Sequence, residues 1–423
     1  MSHHSNPRWP LVSIRRFDIV YLQRQNPYMV AWWSASFPGF SHLLLYKNSI
    51  GIILTLSEVF INSFASINIG MVYSFCGNFE MAKQAVQPLW AFGYMIIYLF
   101  AIWDSYRCAL EMNKQYELAV LENGRVSNYL LKSTGIQYIE KKHPLAAAAC
   151  SFFFPGLGQL YNKHIWLGFY GIFWWWFYLT FSHTYEAVLA FLTHNGHLVK
   201  SILHPQWLMF MPSVIGGAMY HAYTSSIEQN RLFRTLQRQY LTDRYDNSQC
   251  VLSGFSGGEQ PLWIVGTFEH SIEVEQALSN LEHSGIDKSR IIPVLMDTDS
   301  SPAIRFTNQR YDQMSRPIEI GIACATAASV IGISVGFILE WGPIIWGIVY
   351  AIGGFTAAFA VSYLLKPKQQ RTRKSDKLPE VTVLVQYDKE EEASSIKAIL
   401  WQYNALTVGK LNNNHPVLNS PAR

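Results

Sequence analysis

Ser151-Phe-Phe-Phe-Pro-Gly-Leu-Gly-Gln-Leu-Tyr161 sets a Pro-Gly pair inside an apolar run and follows it with Gly158, Gln159 and Tyr161. A plain membrane-spanning helix has no use for that break, because proline removes a backbone donor and glycine loosens the helix. Ser34-Ala-Ser-Phe-Pro-Gly-Phe-Ser-His-Leu-Leu-Leu-Tyr46 carries the same break 117 residues earlier.

Working outward from this pair, the chain aligns with itself at the same offset, without gaps, over about 80 positions. Pro38-Gly39 meets Pro155-Gly156, Gly51 meets Gly168, and Asn78 meets Asn195. Pro88 and Trp90 meet Pro205 and Trp207, and Tyr106, Glu111 and Asn113 meet Tyr223, Glu228 and Asn230. Apolar bias would match Leu to Leu, but it would not align Pro, Gly, Trp and Asn together. The expectation is a tandem repeat of helical units. Each has a Pro-Gly segment (29–46, 144–161), a long apolar segment (49–76, 165–192) and a segment that starts at Pro-x-Trp (88–110, 205–227).

Half of the 423 residues are apolar and 15% are charged, against roughly a quarter charged in soluble domains. The 14 Trp, 23 Tyr and 25 Phe suit membrane–water interfaces, where a ring is buried and its polar tip stays wet. This is the composition of an integral membrane protein with a polar part. A net charge of +4 is too small to point to nucleic acid. The five cysteines (Cys76, Cys108, Cys150, Cys250, Cys324) are scattered and odd in number, which excludes a complete disulfide framework. Met1 to Asn26 has no apolar core of a cleavable signal, so the first apolar segments are expected to direct insertion.

Lys and Arg concentrate in 1–28, 104–143, 228–317 and 366–380, while 77–87 and 193–204 hold one Lys each. Positive loops stay in the cytoplasm. With both flanks of the first unit inside, only two of its three apolar segments cross. The Pro-Gly segment is then re-entrant or interfacial, packed on its own spanning helices, with Gly51 and Gly168 permitting close approach. This gives six spanning segments and cytoplasmic termini, in a bacterial cytoplasmic (inner) membrane.

Pro155-Gly-Leu-Gly-Gln-Leu-Tyr161 followed by Gly168 resembles the small bacterial two-helix transmembrane domain whose hallmark is Pro-Gly-x-Gly-x-x-Tyr. That family often has an Asp late in its last helix. Asp104 resembles it in the first unit, where the second has His221, and Phe40-Ser41-His42 replaces Leu-Gly-Gln. The resemblance implies a fold and no reaction.

The second half differs. Leu262–Phe268 reads as a strand, Val274, Ala277, Leu278 and Leu281 repeat at helical spacing, and Ile291–Met296 reads as a second strand. Val381–Tyr387, a helix carrying Ala393, Ile396, Ile399 and Leu400, and a strand near Ala405–Val408 repeat that order. Together they predict one cytoplasmic ferredoxin-like α+β domain. It is interrupted by two apolar runs, 318–340 and 342–365, forming a glycine-rich transmembrane hairpin with Gly332 and Gly336 as a GxxxG. This half resembles bacterial general-stress-type proteins with a glycine-rich membrane hairpin, which implies regulation or stress physiology.

The expected organisation is a cytoplasmic tail (1–28), a first membrane repeat (29–113), a connector (114–143), and a second repeat (144–230). A basic amphipathic helix and linker (231–260) lead to the ferredoxin-like halves (261–317, 366–411), split by the hairpin (318–365), and a disordered tail closes the chain (412–423). The helix at 227–245, with Arg231, Arg234, Arg238 and Arg244, suits either lipid headgroups or the face of the ferredoxin-like domain.

Glu58, Asn62, Asp104, His183, Glu186 and His221 are unusual in or beside apolar segments, as is Asn68. They either line a polar path between the repeats or form interhelical hydrogen bonds. No P-loop or HExxH occurs, and the two GxSxG matches, Gly254-Phe-Ser-Gly-Gly258 and Gly332-Ile-Ser-Val-Gly336, do not lie between a strand and a helix as a nucleophile elbow does. Asp297-Thr-Asp-Ser-Ser301 lacks the remaining ligands of a calcium loop, and Ser253-Gly-Phe-Ser-Gly-Gly258 is not placed as a phosphate cradle. The sequence therefore points to a non-enzymatic scaffold or regulator without cofactor or metal. Its expected partners are membrane lipids, a cytoplasmic protein, and a second copy bound through the glycine-rich hairpin. The alternative is a channel or transporter component moving a small solute or proton between the repeats.

Overall fold

The structure is a computed structural model. It describes residues 12–14, 19–121, 129–132, 135–138, 140–194, 196–245, 262–296, 315–365 and 381–411. Ser253–Gly258, Asp297–Ser301, the Lys/Arg run after Lys366 and the tail from 412 lie outside the described residues. The fold is mostly helical with a small sheet. It divides into two compact units, one of Met1–Gln229 with Arg310–Gln370, the other of Asn230–Gln309 with Arg371–Arg423.

The first unit opens with an antiparallel pair, β1 (Val12–Ile14) and β2 (Ile19–Tyr21). Helices α1 (Pro27–Ser36), α2 (Phe40–Leu44), α3 (Asn48–Ala65), α4 (Ile67–Phe75), α5 (Phe79–Ala85) and α6 (Pro88–Leu121) follow. A second antiparallel pair, β3 (Tyr129–Lys132) and β4 (Gly135–Tyr138), precedes α7 (Pro144–Phe153), α8 (Leu157–Tyr161), α9 (Ile165–Phe181) and α10 (Thr184–Leu192). After α10 come a 3-10 turn at Gly196–Leu198, α11 (Val199–Ile202), α12 (Pro205–Leu208) and α13 (Met211–Tyr245), whose residues from Asn230 on belong to the second unit. Most element starts recur at an offset of 117, as at Val12 and Tyr129, Pro27 and Pro144, Phe40 and Leu157, Asn48 and Ile165, Ile67 and Thr184, and Pro88 and Pro205. Positive φ recurs likewise at Gly39 and Gly156, Tyr46 and Lys163, Ser66 and His183, and Gly77 and His194.

Local chemistry explains the Pro-Gly segments. Pro27 and Pro144 open α1 and α7, where a missing N–H costs nothing. Each helix has 10 residues, about 15 Å at 1.5 Å per residue, half of what a bilayer core needs. The turn that follows uses Gly39 at φ 94° and Gly156 at φ 107°. A Cβ on Gly39 would lie 2.5 Å from the Gly51 carbonyl oxygen and 2.6 Å from the Thr55 nitrogen. A Cβ on Gly156 would strike the Gly168 carbonyl, and one on Gly51 or Gly168 would strike Leu43 or Leu160. The short helices therefore fold back directly onto α3 and α9.

Four helices among the described residues are long and apolar enough to cross a membrane: Asn48–Ala65, Pro88–Ala119, Ser315–Gly336 and Gly342–Leu364. The long apolar segments expected at 49–76 and 165–192 are each broken, at Ser66 (φ 55°) and His183 (φ 54°). A left-handed residue stops the helical ladder. It leaves helices of 18 and 9 residues in one case and 17 and 9 in the other.

The hairpin, α14 (Ser315–Gly336) and α15 (Gly342–Leu364), belongs to the first unit. Gly332 and Gly336 face α15: a Cβ would meet the Trp346 carbonyl at 2.5 Å and Pro343 Cα at 2.5 Å. The GxxxG is thus taken up within the hairpin. Helix α14 also packs on the rest of the unit. Ile322 and Ala323 join Trp33, Leu44 and Tyr220 in one apolar cluster, and Cys76 Sγ donates to the Ser334 carbonyl at 3.2 Å.

The second unit holds β5 (Leu262–Phe268), α16 (Ile272–His283), β6 (Ile291–Leu295), β7 (Val381–Tyr387), α17 (Glu390–Gln402) and β8 (Thr407–Leu411). Its four strands run in the order β6-β7-β5-β8, every neighbouring pair antiparallel. Val381, Val383 and Val385 alternate into a core with Ile264, Leu278, Leu281, Ile396 and Leu400. The end of α13 joins that core through Leu241 and Tyr245. Arg244 NH2 lies 2.5 Å from Glu282 Oε2, and the Tyr245 hydroxyl donates to Glu282 Oε1 at 2.6 Å. The end of this basic segment thus packs on the sheet domain.

Candidate functional site

Glu58 is buried in α3, and its Oε1 accepts from Asn62 Nδ2 at 2.9 Å and from the Tyr94 hydroxyl at 3.2 Å. Four residues separate Glu58 from Asn62, which puts them on one helical face. The network continues across the break at Ser66. The Asn68 N–H approaches Asn62 Oδ1 at 3.4 Å, and the Ile69 N–H donates to Gln206 Oε1 at 3.2 Å. Gln206 Nε2 donates to Asn62 Oδ1 at 2.8 Å, and Asn68 Nδ2 to the Gln206 carbonyl at 2.8 Å. The first N–H groups of a helix lack intrahelical acceptors, and here two side chains supply them. Left open in an apolar interior, each such group would cost about 1–3 kcal/mol.

Asp104 belongs to a second group. Its Oδ2 lies 3.1 Å from His42 Nε2 and 3.6 Å from Cys108 Sγ, and its Oδ1 accepts from Arg107 NH2 at 2.7 Å. His42, Asp104 and Cys108 are all buried. Lys47 Nζ approaches Cys108 Sγ at 2.8 Å and Glu111 Oε2 at 3.8 Å. At an offset of 117 from His42, Lys47, Asp104 and Cys108 stand Gln159, His164, His221 and Ser225. There the His164 and His221 rings lie 5.1 Å apart, and Ser225 Oγ is 3.4 Å from His221 Nε2. Gln159 is spent on structure, donating to the Ala218 carbonyl at 2.8 Å.

His183 and Glu186 form their own pair at 3.3 Å, with both side chains half exposed and Glu186 also accepting from Tyr185 at 2.6 Å. The six polar residues expected from sequence therefore sit in four groups, and only Glu58 with Asn62 and His183 with Glu186 are brought together. Gln206 and Tyr94 escaped the sequence reading, as did the buried Glu319, whose Oε1 has no hydrogen-bond partner among the described residues, while His42 and Cys108 were named there without a site role. The spacing of Asp104 and Cys108, one helical turn apart, was the available signal.

A small apolar cleft opens between the two Pro-Gly segments. Phe37 and Thr55 line one side, and Pro155, Tyr170, Trp174 and Val214 the other. No protein family, curated protein or solved structure matches the chain.

Proposed function

We propose that the protein is a non-enzymatic scaffold or regulator of the bacterial cytoplasmic membrane. In this reading two copies of one helical unit, each opened by a β-hairpin and carrying a re-entrant Pro-Gly segment, form the membrane part. A cytoplasmic ferredoxin-like domain binds a protein partner or senses the membrane. The strand order β6-β7-β5-β8 supports the ferredoxin-like assignment, and the common offset of most helix starts and of the positive-φ residues supports duplication. One observation carries the choice of a scaffold over a conduit. Asn62, Asn68 and Gln206 use their hydrogen bonds to cap a broken helix, while the cleft between the Pro-Gly segments is lined by apolar groups. Self-association through the hairpin would use the outer face of α15, where Gly353 has open space beside it.

Glu58 favours a second reading, a proton or small-solute route, since among the described residues no cation is paired with this buried carboxylate. Purified protein in liposomes loaded with a pH-sensitive dye separates the two. The scaffold reading expects proton leak equal to that of empty liposomes in both wild type and Glu58→Gln. Wild-type flux that Glu58→Gln abolishes would replace the scaffold with the transporter.

A further inference from the structure

We propose that His42, Asp104 and Cys108 form a three-ligand zinc site that ties the first Pro-Gly segment to α6. The three side chains are buried and offer one nitrogen, one oxygen and one sulfur, all within 4.8 Å of one another. A tetrahedral zinc ion with bonds of about 2.0–2.3 Å holds its ligand atoms about 3.3–3.6 Å apart. The observed separations from Asp104 Oδ2 are 3.1 Å to His42 Nε2 and 3.6 Å to Cys108 Sγ. Asp104 and Cys108 project from successive turns of α6, and α2 brings His42 to them after the left-handed turn at Gly39.

The surroundings suit a metal. Arg107 holds Asp104 Oδ1 at 2.7 Å and leaves Oδ2 toward the site, the kind of outer partner that orients a ligating carboxylate. Lys47 now occupies the approach to Cys108, but it is partly exposed and already 3.8 Å from Glu111 Oε2. Zinc entry moves it to that carboxylate. The Cys108 S–H bond breaks, its proton goes to solvent, and the sulfur electron pair forms the Zn–S bond. Magnesium and calcium are poor occupants, because they require several oxygen ligands, whereas mixed N, O and S donors suit zinc. The corresponding positions Gln159, His221 and Ser225 lack both thiol and carboxylate, so the second unit is an internal control.

The test uses untagged full-length protein in detergent with Cys76, Cys150, Cys250 and Cys324 replaced by Ser, dialysed against zinc and then analysed for metal by mass spectrometry. The expected result is about one zinc per chain. Affinity should fall at least about tenfold in Arg107→Gln and further in Cys108→Ser, Asp104→Asn and His42→Ala, while His221→Ala leaves it unchanged. Cobalt substitution of the unmutated site should give a thiolate-to-metal absorption band. That readout holds even where a ligand variant fails to fold. Metal-free protein after dialysis, retention of zinc in Cys108→Ser, or cobalt bound without a thiolate band would each overturn the site.

Discussion

At Gly39 and Gly156 a methyl group has nowhere to go. Both residues have positive φ, and they pack against the backbone of α3 and α9 respectively. Gly77 shares the conformation (φ 78°) but has open space around it. Alanine at any of the three carries a backbone cost of about 1–3 kcal/mol, and only at Gly39 and Gly156 does a steric overlap add to it. Thermal unfolding in detergent, followed by circular dichroism, should rank Gly156→Ala and Gly39→Ala well below Gly77→Ala. Equal losses at all three would remove close packing as the reason for the motif. The glycines were legible because few other residues tolerate such a turn. The breaks at Ser66 and His183 were not, since neither side chain requires a left-handed backbone and the apolar pattern runs through both. Nor was the His42–Asp104–Cys108 cluster, whose members meet only after α2 folds onto α6.

The C-terminal part of α13 makes the pH argument at the scale of an element. Burial raises the Glu282 carboxyl, but hydrogen bonds from Arg244 and Tyr245 outweigh it and hold the group below its ordinary value. A depressed carboxylate contributes stability above its unfolded pKa and loses it as pH falls through the folded one. Glu275, which burial pushes up against a bond from Gln237, acts in the opposite sense. Wild-type melting of the sheet domain minus that of Glu282→Gln isolates the first contribution. The difference should shrink as acidification passes through the carboxylate range below the ordinary Glu value. A constant difference from neutral pH downward would show that the Arg244–Glu282 contact contributes no such linkage. The strands and helices of this domain followed directly from apolar, β-prone runs and from helical spacing. The docking of Leu241 and Tyr245 into its core was only half legible, because arginines interleaved with apolar residues suit a lipid surface equally well.

For the whole molecule, the proposed topology is tested by labelling single cysteines in a background that keeps only the buried Cys108. Probes replacing Lys163 should react from the cytoplasmic side, and those at Lys83 and Lys200 from the other. Reaction of Lys163→Cys from outside would make the Pro-Gly segments cross. The hairpin itself was legible as two glycine-rich apolar runs, but its packing on α13 and the first Pro-Gly segment was not, because helix-to-helix docking leaves no periodic trace. Its place in the chain has a temporal consequence. Strands β5 and β6 are both made before the hairpin, yet they never pair with each other; each waits for β7, and β5 also for β8. At about 5–20 residues per second, the stretch from Met296 to Val381 takes roughly 4–17 s to synthesise. For that interval the nascent chain holds two orphan strands while the ribosome delivers α14 and α15. The finished sheet is therefore a record that the hairpin has already been translated.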